Sequence, residues 1–135
     1  MMDIANFEDL MRAAQTQREP QRLLFVFAGA ELPEDSTPDE RARFAAGAGG
    51  ALIPLMCADK TPSEAATFEA LAGEAQQFGH DWAMVFVAAL AGRDGRAPTS
   101  EDAGPILERM VGEIKAGRIG AYVPFDRHGV AVMFD

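Results

Sequence analysis

Four charged side chains stand where a ligand could be held. Arg93 and Arg96 flank Asp94-Gly95 in the segment Gly92-Arg93-Asp94-Gly95-Arg96, shortly before a helix start at Thr99. Two guanidiniums on a glycine turn, close to the free amides of a helix N-terminus, suit a carboxylate or a phosphate. Asp59 and Lys60 end an apolar run and offer a carboxylate beside an amine. Arg93, Arg96, Asp59 and Lys60 are therefore the candidate ligand-binding residues. A plainer account stands beside this one. The arginines of a solvated turn keep an acidic chain soluble, and neighbours such as Asp59 and Lys60 diverge on a turn. The glycine spacing matches neither the phosphate loop G-x-x-x-x-G-K-[ST] nor a dinucleotide fingerprint.

Other reactive side chains are sparse, and no catalytic residue is assigned. The single cysteine, Cys57, lies in Leu55-Met56-Cys57-Ala58, where a small core residue is expected. One cysteine excludes an intrachain disulfide, a CxxC redox pair and a cysteine zinc site. His80 and His128 are too isolated for the usual metal spacings. His80-Asp81 has the composition of a dyad, but sequence neighbours seldom hydrogen-bond in that geometry, and a histidine at the negative end of a helix explains it better. The acidic stretch Glu31-Leu32-Pro33-Glu34-Asp35 with Asp39 and Glu40 is explained by proline and capping, and Gly47–Gly50 by a helix end and linker. No metal and no cofactor are expected.

The elements that must position these residues alternate between helix and strand. A first helix is predicted over Phe7–Gln17, capped by Asn6, with Phe7, Leu10, Met11 and Ala14 on one face and Pro20 beyond its end. Leu23–Ala28 is an unbroken apolar run rich in strand formers, a strand buried on both faces. A second helix covers Pro38 to about Ala46. Ala51–Ala58 is the second strand, placed at an edge or bulged because Pro54 cannot donate to a ladder. A third helix is predicted from Pro62 to Phe78, with Phe68, Leu71, Ala72 and Ala75 at helical spacing. Trp82–Leu90 is a third buried strand. A fourth helix starts at Thr99, carries Ile106, Met110, Val111 and Ile114, and ends at Gly117. Tyr122–Phe125 and Val130–Phe134 read as a closing hairpin around Asp126-Arg127-His128-Gly129.

Three helix starts share one grammar: Thr37-Pro38-Asp39-Glu40, Thr61-Pro62-Ser63-Glu64 and Thr99-Ser100-Glu101-Asp102. In each the threonine oxygen can accept from the third residue's amide while the acid there reaches back to the threonine amide. The expected fold is a single α/β domain spanning residues 1–135. Its mixed sheet has about five strands, comprising alternating helix–strand units plus the C-terminal hairpin, flanked by about four helices. With parallel strands, the loops Gly29–Ser36, Asp59–Lys60 and Gly92–Ala97 would meet at one end of the sheet, where ligands of such sheets bind.

The 135 residues are 48% hydrophobic and 24% charged, the balance of a folded chain, with 12 basic against 21 acidic residues and a net charge of −9. That sign argues against nucleic acid or a membrane surface as partner. The longest apolar runs, Leu23–Ala30 and Trp82–Gly92, fall well short of the ~20 residues of a membrane helix. The acidic start Met1–Asp9 has no apolar signal core, so a reducing cytoplasm is the expected location. Ten of the 12 basic residues are arginine and alanine appears 25 times, the bias of a bacterial genome rich in GC.

Four strings stand out together: Arg22-Leu23-Leu24-Phe25-Val26-Phe27-Ala28, Leu55-Met56-Cys57-Ala58-Asp59-Lys60, Val85-Phe86-Val87-Ala88-Ala89-Leu90 and Ile119-Gly120-Ala121-Tyr122-Val123-Pro124-Phe125-Asp126-Arg127. Through them essentially the whole chain resembles a family of short proteobacterial proteins that carry the automatic label "ribonucleotide reductase subunit alpha". The resemblance brings no activity and no catalytic residues to carry over. A ribonucleotide reductase needs a radical-bearing cysteine and a reducing cysteine pair on a barrel several times this size, so with Cys57 alone the expectation is that the chain is not one.

Two functions remain in view. The first is a non-catalytic binding or protein-interaction module able to form a homodimer through a sheet edge, either the Pro54 strand or the hairpin strand carrying Val130, Val132 and Phe134. The alternative is a small enzyme or small-molecule sensor that binds an anionic ligand at the loops after the strands.

Overall fold

The computed structural model describes residues 4–31, 35–45, 51–65, 67–79 and 81–132. It is a four-stranded sheet with helices on both faces. In chain order the elements are α1 (Phe7–Gln15), β1 (Gln21–Glu31), α2 (Pro38–Ala45), β2 (Ala51–Lys60), α3 (Pro62–Ala65), α4 (Phe68–Gln77), β3 (Met84–Ala91), α5 (Ser100–Lys115) and β4 (Val123–Asp126). Local chemistry places most helix starts. Asn6 Oδ1 accepts from Asp9 N at 2.9 Å, and all three threonine boxes close in both directions, as at Thr37, which accepts from Glu40 N (3.2 Å) and donates to Glu40 Oε1 (3.0 Å).

The third helix is shorter than its periodicity suggested. Thr67 Oγ1 accepts from Ala70 N at 3.1 Å and starts α4 afresh, so the stretch divides into α3 and α4. A side-chain oxygen that satisfies a second set of helix amides favours a new N-terminus over an unbroken helix. Of the closing hairpin, β4 and the returning residues Val130–Val132 are in place, with Phe125 bridged to Ala131 and Val132 N donating to Pro124 O. The remainder of the predicted last strand lies outside the described residues.

The sheet order is β2-β1-β3-β4 and every pairing is antiparallel, which corrects the mixed sheet expected from the alternating pattern. The reason lies in where each connection ends. Glu31 at the end of β1 pairs with Ala51 at the start of β2, so the chain through α2 returns to the end it left. The α3–α4 segment instead travels the length of the sheet, from Lys60 beside Leu23 to Met84 beside Ala28. β2 and β3 do run in the same direction, but β1 lies between them, pointing the other way. β2 is bulged: Phe27 pairs with Met56 and Ala28 with Pro54, leaving Leu55 as the extra residue.

β1 feeds two cores because its side chains alternate. Leu23, Phe25 and Phe27 join Val85, Val87 and Phe125 beneath α1, α3 and α4, which contribute Phe7, Leu10, Met11, Ala65 and Leu71. Phe7 packs edge-on against Phe68 and Phe125 at 5.4 and 5.8 Å, and Phe27 against Trp82 at 5.0 Å. On the other face Leu24, Val26, Ala28 and Phe86 meet Ala103, Met110 and Ile114 of α5, with Tyr122. Burying one such side chain contributes ~1.5–3 kcal/mol. No helix among the described residues is long and apolar enough to cross a membrane.

Candidate functional site

Sheet direction decides which predicted site residues meet. The ends of β2 and β3 share one end of the sheet with the start of β1, so Asp59–Lys60 and Gly92–Ala97 lie at that end. The chain following Gly29 leaves from the opposite end, correcting the expectation that three loops converge.

Asp59 and Lys60 point to opposite faces. Asp59 Oδ2 accepts from Arg22 Nε and from Ser100 Oγ, both at 2.6 Å, and Arg22 Nη2 donates to Ser100 Oγ at 2.8 Å. This half-buried triangle fastens the first turn of α5 to β1 and β2. Burial pushes the Asp59 carboxyl up, but hydrogen bonds from Ser100 and Arg22 and the charges of Arg22 and Lys60 outweigh it and hold the group below its ordinary value. On the other face Lys60 Nζ pairs with Glu74 of α4 at 2.9 Å. Both charges are thus committed to joining elements rather than to each other.

Arg93 and Arg96 sit on a tight turn. Their backbones exchange two hydrogen bonds, 3.0 and 2.9 Å, and the central residues Asp94 and Gly95 have φ of 51° and 79°, the pattern of a type I′ hairpin turn. Glu19 Oε2 accepts from Gly95 N at 2.9 Å, and Gly92 N donates to Pro20 O at 2.8 Å. A Cβ on Gly92 would lie 2.0 Å from Arg96 O, so only glycine fits there. Both arginines are exposed beside a shallow concavity that also includes Asp94 and Asp102. Two carboxylates against two guanidiniums leave it with no net positive charge, and neither Asp59 nor Lys60 borders it.

The sheet edges differ. Val130–Val132 return along β4 and are covered in turn by the start of the chain: Phe7 N donates to Gly129 O (2.9 Å), Ala131 N donates to Ala5 O (2.8 Å), and Asn6 bridges Val130. That corrects the expectation of a docking edge at Val130. Phe134 lies outside the described residues. The β2 edge has no strand beside it among the described residues. Next to it, between β2 and α4, runs a groove of about 270 Å³ floored by Phe27, Met56, Ala58, Leu71 and Ala75 and also lined by Lys60, Glu74 and Gln77. Its rim is Phe78, the C-cap of α4, which is 70% exposed. The sequence pattern marked Phe78 only as the end of the third helix, and its exposure past the last turn of α4 was not legible there.

Cys57 stands exposed on this edge, lining the groove. Partial burial pushes its thiol above the ordinary value, the wrong direction for a nucleophile. His128 is exposed at the turn after β4, where its amide donates to Asp126 Oδ1, and Asp81 pairs with Arg127. His80, Gly47–Gly50 and residues 32–34 of the acidic stretch lie outside the described residues. Among the described residues no three His, Cys, Asp or Glu side chains gather as a metal site would need.

These features define a class, a small α/β domain on an open antiparallel sheet with one edge and its flanking groove uncovered among the described residues. Compared with family models, curated proteins and solved structures, the chain matches none.

Proposed function

We propose that the protein is a non-catalytic interaction module that offers the open edge of β2 to a partner. The observation carrying this reading is the asymmetry of the two edges. The chain covers β4 with Val130–Val132 and these with its N-terminal residues, yet among the described residues no strand lies beside β2, where a largely apolar groove has an exposed aromatic rim. An uncovered edge strand is a template for pairing. Of the four charged candidates, Asp59 and Lys60 are committed to ion pairs, with Arg22 and Glu74. The proposal keeps the family resemblance without the activity of its label, since one cysteine cannot supply both radical and reducing pair. It places the protein in a reducing compartment, where Cys57 stays a thiol.

The test uses Cys57 as a handle. A photo-crosslinker attached there is expected to capture a protein in native extract, and capture should fail when the label is moved to an exposed cysteine at Arg18 in a Cys57→Ser background. A thermal-shift series with nucleotides, sugar phosphates and carboxylates should be flat. A small molecule at ~100-fold saturation would add about 2.7 kcal/mol. A clear shift without crosslinking from Cys57 overturns the reading and favours the anion-binding alternative at Arg93 and Arg96.

A further inference from the structure

We infer that the partner at this edge is a second copy of the same chain, in a two-fold dimer in which β2 pairs antiparallel with β2 and each Phe78 enters the other copy's groove. This rests on the interaction reading above and names its occupant. A two-fold contact uses one patch twice, so the patch must complement itself. This one carries a protrusion and a hollow side by side. Phe78 is 70% exposed, and the groove it borders, about 270 Å³, has an apolar floor with room for an aromatic ring and carries the Lys60–Glu74 pair and Gln77 on its walls. A two-fold axis perpendicular to the sheet keeps both α4 helices on the same face, which is what an exchange of Phe78 rings requires.

Charge along β2 does not oppose the pairing, although the net charge of the chain does. The chain carries −9, so most approaches of two copies are repulsive. The charged side chains of β2 are Asp59 and Lys60, at its last two positions, one of each sign and each paired within its own chain. Antiparallel pairing puts them at opposite ends of the joint, so no like charges face each other across it. A ten-residue edge that is bulged at Leu55 and has no amide to donate at Pro54, with one groove, makes a small interface, hence a concentration-dependent dimer rather than an obligate one. Salt should strengthen it, by screening the repulsion between two acidic bodies while leaving apolar contact intact. A partner held by ion pairs would respond in the opposite sense.

Sedimentation velocity on the purified full chain over a wide concentration range tests this. The expected result is a monomer–dimer equilibrium that tightens with added salt. Phe78→Asp should weaken it at least tenfold with an unchanged far-ultraviolet spectrum. Cys57→Lys, which sets a charge on the joint, should weaken it independently should Phe78→Asp disturb the fold. A strict monomer at every concentration, or a dimer indifferent to both substitutions, overturns the inference. If the purified chain is monomeric while Cys57 still crosslinks a different protein, self-pairing falls and the interaction reading stands. If neither occurs, both fall.

Discussion

At the scale of residues, the charged groups are explained by what they already hold. The Asp59 carboxyl lies below its ordinary value, so it favours the folded state above the unfolded carboxylate range near ~3.9 and loses that contribution as pH falls through its lower folded value. Asp59→Asn should therefore cost about 1–2 kcal/mol near neutral pH, the worth of hydrogen bonds to a partly exposed charge. The gap from the unsubstituted chain should close below about pH 4. Urea titrations at a series of pH values would show it, and a gap that persists in acid would deny Asp59 its charged role. Arg93 and Arg96 are different. Their turn is held by backbone bonds and by Glu19, not by the guanidiniums. Replacing both with Ala should move stability by no more than about 0.5 kcal/mol. Net charge goes from −9 to −11, and melting in phosphate should match melting without it. A phosphate-dependent gain present in the unsubstituted chain and lost in the variant would make this turn a ligand site.

At the scale of elements, what was legible in the sequence is what local chemistry determines. Asn6 and the three threonine boxes announce their own hydrogen bonds, and the faces of α1, α4 and α5 follow from spacing. Sheet direction was not legible, because a helix between two strands serves a return to the same end as readily as a crossing to the other. Asp94-Gly95 did carry the signature of a type I′ turn, yet its rigidity depends on Glu19 and Pro20, more than 70 residues away. The cover over the returning residues beside β4 was hidden for the same reason, since Ala5 to Phe7 find Gly129 to Ala131 only in the folded chain. Asn6 works in both settings, capping α1 and bridging Val130. Asn6→Ala should cost about 1 kcal/mol as a lost cap. Hydrogen exchange should then quicken at the Phe7 and Ala131 amides together, because α1 and the strand it covers share that segment. Faster exchange in α1 alone would separate cap from cover.

At the scale of the whole molecule, the two cores are joined through β1. Phe25 and Val26 are adjacent in sequence, fully buried and on opposite faces, so neither core can lose its packing while β1 keeps its place for the other. The chain should unfold as one cooperative unit. Its single tryptophan makes this measurable, because Trp82 belongs to the core under α1 and α4, whereas Met110 belongs to the core over α5. Met110→Ala removes a fully buried side chain and should cost ~2–5 kcal/mol. If the cores act together, Trp82 fluorescence should shift to lower urea by the same amount as the far-ultraviolet signal, although the substitution lies across the sheet from the indole. If the faces unfold separately, the fluorescence midpoint should stay where it was while the helical signal splits into two steps. The coincident shift is the expected result, since the strand at the centre of the sheet supplies the floor of both cores and is paired along both of its edges.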